Sequence, residues 1–352
     1  MILINWERFP FLAQSAFAKS WLTIQINFCL AANTVDAYAR ALEDFLSFCS
    51  RSTIDSAVAK REHIAAYVRE LTMRPRPHRS TLDQRDSSPC LMIGLANSTL
   101  HQRLTAIRLY YDYLVEEGVR ADNPVGRGRY SAGRNFGGQP SRGLIPRYHK
   151  LPWIPTDQQW QALLAATRTE SIRNRLMLAL AYDCALRREE LCSLATADVD
   201  PAQRLLRIRA ETTKNRTERI LPYSEPTATL YAAYLRHRHD LTQARGPLFL
   251  SESRRNRAQP VSIWTWSKVV AGIAERSGLP QLSTHTFRHL CLTDLARAGW
   301  ELHAMARFAG HRSLQTTLTY IHLSGRDLAA KLSAGMSAIH QWRASQLAEV
   351  RQ

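Results

Sequence analysis

The sequence predicts a mainly α-helical protein with a small β-sheet, in which a helical N-terminal domain precedes a mixed α+β domain. Between residues 33 and 124, apolar side chains recur at steps of three and four, as in amphipathic helices. Residues 126–150 then contain six glycines, six arginines or lysines and no acidic residue, a composition that cannot support a packed core. Beyond them, helical patterns surround two short runs that alternate as paired strands do.

The N-terminal domain is expected to span residues 1–125 and to contain two or more packed helices. The apolar positions are Val35, Tyr38, Leu42, Phe45 and Phe48 in one helix and Leu100, Leu104, Ile107, Tyr111 and Leu114 in another. Asn97-Ser98-Thr99 supplies capping side chains before the second helix, and Gly118 with Pro124 ends it. Arg74–Pro89 contains three prolines and predicts a surface loop.

The second domain is expected over residues 153–325, after an interdomain linker at 126–152. Pro155 followed by Thr156 predicts a helix start. The further predicted elements are a helix over Ile172–Leu194 broken at Cys184-Ala185, strands over Leu205–Ile208 and Arg219–Pro222, and a helix over Thr227–His239. In this domain, helices therefore flank a small sheet.

The charge of the chain predicts a polyanionic partner. Lys and Arg number 47 against 30 Asp and Glu, a formal net charge of +17, and the isoelectric point is about 10.1. Nucleic acid is the first expectation. The linker arginines either belong to a flexible tether or form a strap along DNA, and the one-sided charge favours the strap. These arginines are Arg127, Arg129, Arg134 and Arg142.

Other classes of protein are disfavoured by the sequence. No apolar run approaches the roughly 20 residues of a membrane span, and no signal peptide is evident. The six cysteines are scattered without any CxxC pair, so neither a zinc site nor a disulfide framework is suggested. We therefore expect no metal, no cofactor and no membrane partner, and a cytoplasmic protein that associates with the nucleoid when it acts.

The residues that point to chemistry lie in the second domain. His285 and Arg288 are three residues apart, a spacing that brings two side chains to one face of a helix and onto a single anion. His311 follows in a Gly-His pair 23 residues beyond Arg288, and Tyr320 lies nine residues after that histidine. Such a layout is typical of a site that cleaves phosphate esters.

Two upstream residues complete an ordered set that resembles the catalytic residues of the tyrosine recombinases, also called the phage integrase family. The set is Arg187, Lys214, His285, Arg288, His311 and Tyr320. The specific match runs from about residue 173 to residue 322, whereas before residue 152 the likeness is only of architecture. Cys184-Ala185 stands where the family usually shows Thr-Gly, and Lys214 lacks the usual flanking glycines.

The resemblance implies a helical core-binding (SAM-like) domain and a mixed α+β catalytic domain that close around a duplex. Arg187 and Arg288 would bind the non-bridging phosphate oxygens, because planar guanidinium groups stay charged and bind two oxygens at once. Glu190 would support Arg187 structurally. The transition state carries more negative charge than the substrate, so cations placed there stabilise it.

The same resemblance assigns the remaining roles. Tyr320 would attack phosphorus and form a 3′-phosphotyrosyl bond, and Lys214 would protonate the leaving 5′-oxygen. His285 and His311 would exchange protons with the phosphate oxygens and the tyrosine. Arg216, two residues after the lysine, is a further candidate for contacting DNA.

The tail, residues 326–352, predicts an amphipathic helix. Its apolar positions are Leu328, Leu332, Met336 and Ile339. This helix either packs on its own catalytic domain or, as the family resemblance implies, docks into a neighbouring protomer and so gives a homotetramer, a dimer of dimers, on two DNA sites. The partners expected are double-stranded DNA with paired recombination sites and accessory DNA-bending or directionality proteins.

The function predicted is site-specific recombination, with integration, excision or transposition of a mobile element preferred over resolution of chromosome dimers. Two alternatives stay open at this point. One is a catalytically silent accessory factor that keeps the fold, which the complete catalytic set disfavours. The other is a relaxing enzyme similar to type IB topoisomerases, which share the arginines, a histidine and the tyrosine chemistry.

Overall fold

The computed structural model describes residues 4–74, 94–125, 144–145, 151–323, 337, 341–343 and 346. The chain divides into two compact units, Met1–His149 and Lys150–Gln352. In the described residues it is mainly helical with one small sheet, which confirms the predicted fold class. The predicted loop after Arg74, the linker arginines Arg127, Arg129, Arg134 and Arg142, and the apolar tail positions all lie outside the described residues.

The first unit is helical. Its helices are α1 (Pro10–Gln14), α2 (Ala16–Asn27), α3 (Ala32–Arg51), α4 (Arg61–Met73) and α5 (Asn97–Glu116), with a short 3-10 turn at Trp6–Arg8. Helices α3 and α5 pack together through the apolar positions that the periodicity predicts, including Phe45, Ile107 and Tyr111, all fully buried. Packing of these amphipathic faces supplies most of the stability that such helices have.

Two details of this unit differ from the prediction. Ala96, not an Asn-Ser-Thr side chain, is the N-cap of α5, and Asn97 is already the first helical residue. Helices α1 and α2 were not predicted, although Leu12, Trp21 and Leu22 from them are buried in the core. The end of α5 agrees with the prediction, because Gly118 adopts a left-handed backbone (φ 70°) just beyond Glu116.

The second unit holds the remaining elements. They are α6 (Asp157–Ala166), α7 (Ile172–Asp183), α8 (Arg188–Cys192), β1 (Val199–Asp200), β2 (Leu205–Ile208), β3 (Arg219–Pro222), α9 (Glu225–Leu241), α10 (Ile263–Arg276), α11 (Thr286–Arg297), α12 (Leu302–Ala309) and α13 (Leu314–Leu323). Short 3-10 turns lie at Thr167–Thr169, Thr196–Asp198, Ala210–Thr212 and Arg254–Asn256.

The sheet and the helix starts follow from local sequence. The strands β1, β2 and β3 pair antiparallel in that order, with Leu206 opposite Leu221, and both of these leucines face the core. The Thr156 hydroxyl accepts a hydrogen bond from the Gln159 N–H at 3.3 Å, and the Gln159 side-chain oxygen accepts one from the Thr156 N–H at 2.9 Å, which forms a capping box. The predicted helix start is confirmed.

The break between α7 and α8 is the feature that positions the site. Helix α7 ends at Asp183, and Ala185 adopts a left-handed backbone (φ 47°), the conformation in which glycine is preferred. The turn places Arg187 as the N-cap of α8. Ala185 also packs in a small cluster with Leu292, Met305 and Tyr320, so α11, α12 and α13 meet at this turn.

No helix in the described ranges combines the length and apolar character that crossing a membrane requires.

Candidate active site

Arg288 lies in the first turn of α11, among the candidate catalytic residues. Its side chain is buried, and its Nη1 and Nη2 donate hydrogen bonds to the carbonyl oxygens of Ala185 and Ala309, each at 2.6 Å. Burial, together with the charge of nearby Arg187, lowers its pKa to about 10, so the guanidinium stays protonated at neutral pH. The two carbonyls therefore hold a charged, planar group in one orientation.

Arg187 and Glu190 form an ion pair beside it. Arg187 Nη1 lies 2.7 Å from Glu190 Oε1, its main-chain N–H donates to Oε2 at 3.0 Å, and its Nη2 donates to the Gly310 carbonyl at 3.0 Å. Glu190 is buried and also accepts a hydrogen bond from Arg219 Nη2 at 2.6 Å. Glu190 thus contacts Arg187, the residue that it was expected to support, and shares its charge with a second arginine that was not predicted.

The charge state of Glu190 follows from these contacts. Burial alone would raise its pKa, but the hydrogen bond and charge of Arg219, followed by those of Arg187, lower it to about 2. The carboxylate is therefore ionised at neutral pH. Because one carboxylate faces two arginines, the group keeps a net positive charge, which suits a phosphate.

Tyr320 on α13 lies within this cationic group. It is only 4% exposed, and its phenolic oxygen lies 2.9 Å from Nδ1 of His289. Its ring stacks on that of His311, with centroids 6.1 Å apart and planes 5° apart. Burial raises the pKa of the phenol, while the charge and hydrogen bond of Arg288 oppose that shift. The phenol is accordingly protonated at neutral pH in the absence of DNA.

The histidines of the site are neutral. Burial, with positive charges nearby, lowers the pKa of His289 to about 4 and that of His311 to about 3. His311 Nδ1 also lies 2.9 Å from the Thr317 hydroxyl. His285 is the N-cap of α11 and not part of its first turn, and its ring centroid lies 6.3 Å from that of His289. A neutral imidazole next to a phenol can accept its proton.

His289 was missed by the sequence analysis, although it directly follows Arg288. The available signal was its position four residues after His285, which places the two imidazoles near each other on one helix face. Arg219 was read only as a strand residue. Nothing in its spacing indicates that it pairs with Glu190, which is 29 positions earlier in the chain.

Lys214 and Arg216 lie in the segment that joins β2 to β3, and both are exposed. The structure brings together Arg187, Glu190, Arg288, His311 and Tyr320, with His285 at the edge, whereas Lys214 does not touch this group. The residue between the two basic ones does touch it, because Asn215 Nδ2 donates to the Gly310 carbonyl at 2.8 Å.

The arrangement matches the needs of phosphoryl transfer. The guanidinium groups of Arg288 and Arg187 lie near the buried phenol of Tyr320, which can attack a phosphodiester that the arginines hold. Among the residues that the structure describes, no group of three or more His, Cys, Asp or Glu side chains is arranged to hold a metal ion.

Known protein families match both units. Residues 155–326 match the Phage integrase family, and residues 20–118 match Phage integrase, N-terminal SAM-like domain. The curated relatives include Tyrosine recombinase XerC of Mycobacterium sp. (strain KMS), 29% identical over 245 residues, which are 67% of this chain and 76% of that protein. Tyrosine recombinase XerD of Caulobacter vibrioides is 28% identical over 328 residues, 89% of this chain and 94% of its own length.

Solved structures share the fold. The Tn1549 transposon integrase in complex with transposon right end DNA gives a TM-score of 0.62 at 15% identity, covering 89% of this chain and 98% of that one. The XerH site-specific recombinase bound to a palindromic difH substrate gives 0.59 at 18% identity, covering 85% and 79%.

The fold and these matches define an enzyme class, the tyrosine-type site-specific recombinases. The chain belongs to the phage integrase family, since the two family models together cover well over half of it.

Proposed function

We propose that this protein cuts and rejoins duplex DNA at paired specific sites through a covalent bond between Tyr320 and a DNA 3′-phosphate. The observation that carries the proposal is the position of the Tyr320 phenol, 2.9 Å from the neutral His289 and beside the buried guanidinium of Arg288. A nucleophile, a proton acceptor and a cation that binds phosphate are thus in one place.

The proposed reaction has two steps, cleavage and rejoining. The Tyr320 oxygen attacks phosphorus and gives up its proton to an imidazole, the bond from phosphorus to the 5′-oxygen breaks, and Lys214 supplies the proton that this oxygen takes. The 3′-phosphotyrosyl bond keeps the energy of the original diester, so a 5′-hydroxyl from another strand can reverse the step without ATP. Arg187 and Arg288 hold the non-bridging oxygens, and His285 and His311 complete the cluster around them.

The biological role that we propose is integration, excision or transposition of a mobile element. The support is the structural likeness to a transposon integrase solved with transposon end DNA. The rival role, resolution of chromosome dimers, is favoured by the relatives named XerC and XerD. A search for the sites in the host genome separates the two roles. Paired sites at the ends of a mobile element support the first, and a chromosomal site that flanks no mobile element supports the second.

We propose that the active assembly is a homotetramer on two DNA sites, held together by the tail, residues 326–352. A cavity of about 910 Å³ in the second unit, which Arg187, Arg219 and His311 also line, has an apolar side on which a helix can pack. It is lined in part by Ile220, Trp300, Phe308 and Leu314, three of which expose large apolar surface. Exposed apolar groups of this kind typically mark a protein contact.

Deletion of the residues after Gly325 tests this assembly, with Trp300→Glu as a variant that changes the cavity instead of the tail. Both changes should abolish paired-site complexes on native gels while leaving the folded monomer intact by circular dichroism. A protein without the tail that still assembles two DNA sites would contradict the proposal.

The recombinase function itself is tested with two plasmids. One carries two matched candidate sites, taken from the DNA that flanks the gene, and the other carries none. Recombination that occurs only on the first plasmid supports the proposal. Relaxation of the supercoiled plasmid that lacks sites would point to a topoisomerase-like activity, and binding without any cleavage would point to an accessory factor.

A further inference from the structure

The segment between β2 and β3 forms a short closed turn with Lys214 near its tip. The buried Thr213 hydroxyl accepts a hydrogen bond from the Thr217 N–H at 3.1 Å and donates to the Ala210 carbonyl at 2.9 Å. The Arg216 N–H donates to the Thr213 carbonyl at 3.2 Å, and Arg216 adopts a left-handed backbone with φ 53°. The backbone on both sides of Lys214 is therefore defined by hydrogen bonds.

Asn215 joins this turn to the cluster around Tyr320. Its Nδ2 donates to the Gly310 carbonyl at 2.8 Å, and the same oxygen accepts from Arg187 Nη2 at 3.0 Å. Gly310 ends α12 in a left-handed conformation (φ 63°, ψ 49°) and directly precedes His311. One carbonyl oxygen thus links the lysine turn, a phosphate-binding arginine and the segment that leads to Tyr320.

Asn215 is partly buried, whereas its neighbours Lys214 and Arg216 are exposed. A lysine side chain has many rotamers, so its average position depends on how firmly its backbone is held. A proton donor that is displaced by about 1 Å can lose about 100-fold in rate. The hydrogen bond of Asn215 limits the positions that the Lys214 backbone can take before DNA binds, and so limits the region that the ammonium group can reach.

We propose that Asn215 is a positioning residue for Lys214. It holds the turn against the Gly310 carbonyl. When Arg187 and Arg288 bind a phosphate, the ammonium group of Lys214 then lies next to the leaving 5′-oxygen. This inference rests on the proposed function, in which Lys214 is the general acid. In this proposal Asn215 acts through its hydrogen bond to the Gly310 carbonyl and takes no part in the chemical step.

A DNA substrate with sulfur in place of the bridging 5′-oxygen tests the inference. A thiolate is a far better leaving group than an alkoxide and needs no proton, so this substrate makes the general acid dispensable. Single-turnover cleavage of both substrates is compared for wild type, Lys214→Ala, Asn215→Ala, Arg187→Ala and the control Glu218→Gln. Glu218 is an exposed residue of the same segment, and its ion pair with Arg207, at 3.7 Å, is also exposed.

We expect Asn215→Ala to cleave the ordinary substrate about 100-fold more slowly than wild type and the sulfur substrate at close to the wild-type rate. Lys214→Ala should behave in the same way, Arg187→Ala should be slow on both substrates, and Glu218→Gln should match wild type on both. Melting curves and DNA binding of each variant show that it is folded.

Three results would overturn the inference. The first is cleavage of both substrates by Asn215→Ala at the wild-type rate, which would show that the hydrogen bond has no positioning effect. The inference would also fail if Asn215→Ala were slow on both substrates while the sulfur substrate restored cleavage by Lys214→Ala. Asn215 would then act on Arg187 and not on Lys214. If Lys214→Ala were itself not rescued, the assignment of the general acid in the proposed function would be wrong, and the inference with it.

Discussion

His289 Nδ1 on α11 and the phenolic oxygen of Tyr320 on α13 lie 2.9 Å apart. The imidazole has a pKa of about 4 and is neutral at physiological pH. This pair makes His289 the residue best placed to take the proton that Tyr320 loses when it attacks.

Replacement of His289 by Phe keeps a ring in the same space but removes the nitrogen. We expect formation of the covalent adduct to slow by about 100-fold, the low end of the range for a positioned acid or base. DNA binding should not change, because the ring is mostly enclosed. Single-turnover adduct formation and a gel-shift assay measure the two quantities. Wild-type rates in His289→Phe would show that another group accepts the proton.

Replacement of Arg288 by Lys keeps the charge but loses the planar group that donates to Ala185 and Ala309. We expect a loss of about 100- to 1000-fold in cleavage, as for removal of one donor to a developing oxyanion. The control is Arg297→Lys on the same helix, where the arginine forms an exposed pair with Asp294 at 3.1 Å. Similar activity in both variants would contradict the role given to Arg288.

Replacement of Glu190 by Gln leaves two arginines, Arg187 and the nearly buried Arg219, without their carboxylate. We expect the free energy of unfolding to fall by about 3 kcal/mol, since a buried charge loses its partner. The adjacent control, Glu189→Gln, removes an exposed partner of Arg188 and should cost at most about 1 kcal/mol. Urea denaturation of both variants measures the difference, and equal midpoints would contradict the prediction.

Stability should also depend on pH through the neutral histidines. In the unfolded chain an imidazole takes up a proton near pH 6.5, whereas in the folded protein His289 does so near 4 and His311 near 3. Between these values the unfolded state binds more protons, so the free energy of unfolding falls as the pH falls from 6.5. Urea midpoints at pH 7.5 and pH 5 measure the loss, which should be smaller in His311→Gln. An equal loss of stability in His311→Gln would show that groups other than His311 cause the pH dependence.

Much of the fold follows from local sequence. The strands Leu205–Ile208 and Arg219–Pro222 and the helix broken after Asp183 occur at the predicted residues, because alternation and a turn signal define them. Helices α1 and α2 were missed because they are short or weakly amphipathic, and their burial depends on packing against α3. The cap of α5 was misplaced by one residue, since Asn97 can begin a helix as well as cap it.

In the candidate site, too, the sequence predicts some residues, whereas others are defined only by the fold. Motif spacing identified Arg187, Arg288, His311 and Tyr320, which the structure brings together. The partners of these residues depend on the fold: Arg219 on β3 reaches Glu190 on α8, and Asn215 reaches the Gly310 carbonyl across 95 positions of sequence. No spacing rule connects such residues.

Trapping on nicked duplexes detects the covalent bond that we propose between Tyr320 and DNA. Duplexes from the DNA that flanks the gene are incubated with wild type, Tyr320→Phe and the control Tyr223→Phe, then separated on a denaturing gel. Tyr223 is a suitable control because its buried hydroxyl has no hydrogen-bond partner within the described part of the chain.

We expect a covalent protein–DNA band with wild type and with Tyr223→Phe, and none with Tyr320→Phe. A band that persists in Tyr320→Phe would contradict the account, because another residue would then be the nucleophile. So would the absence of any band from wild-type protein that binds the same duplex tightly.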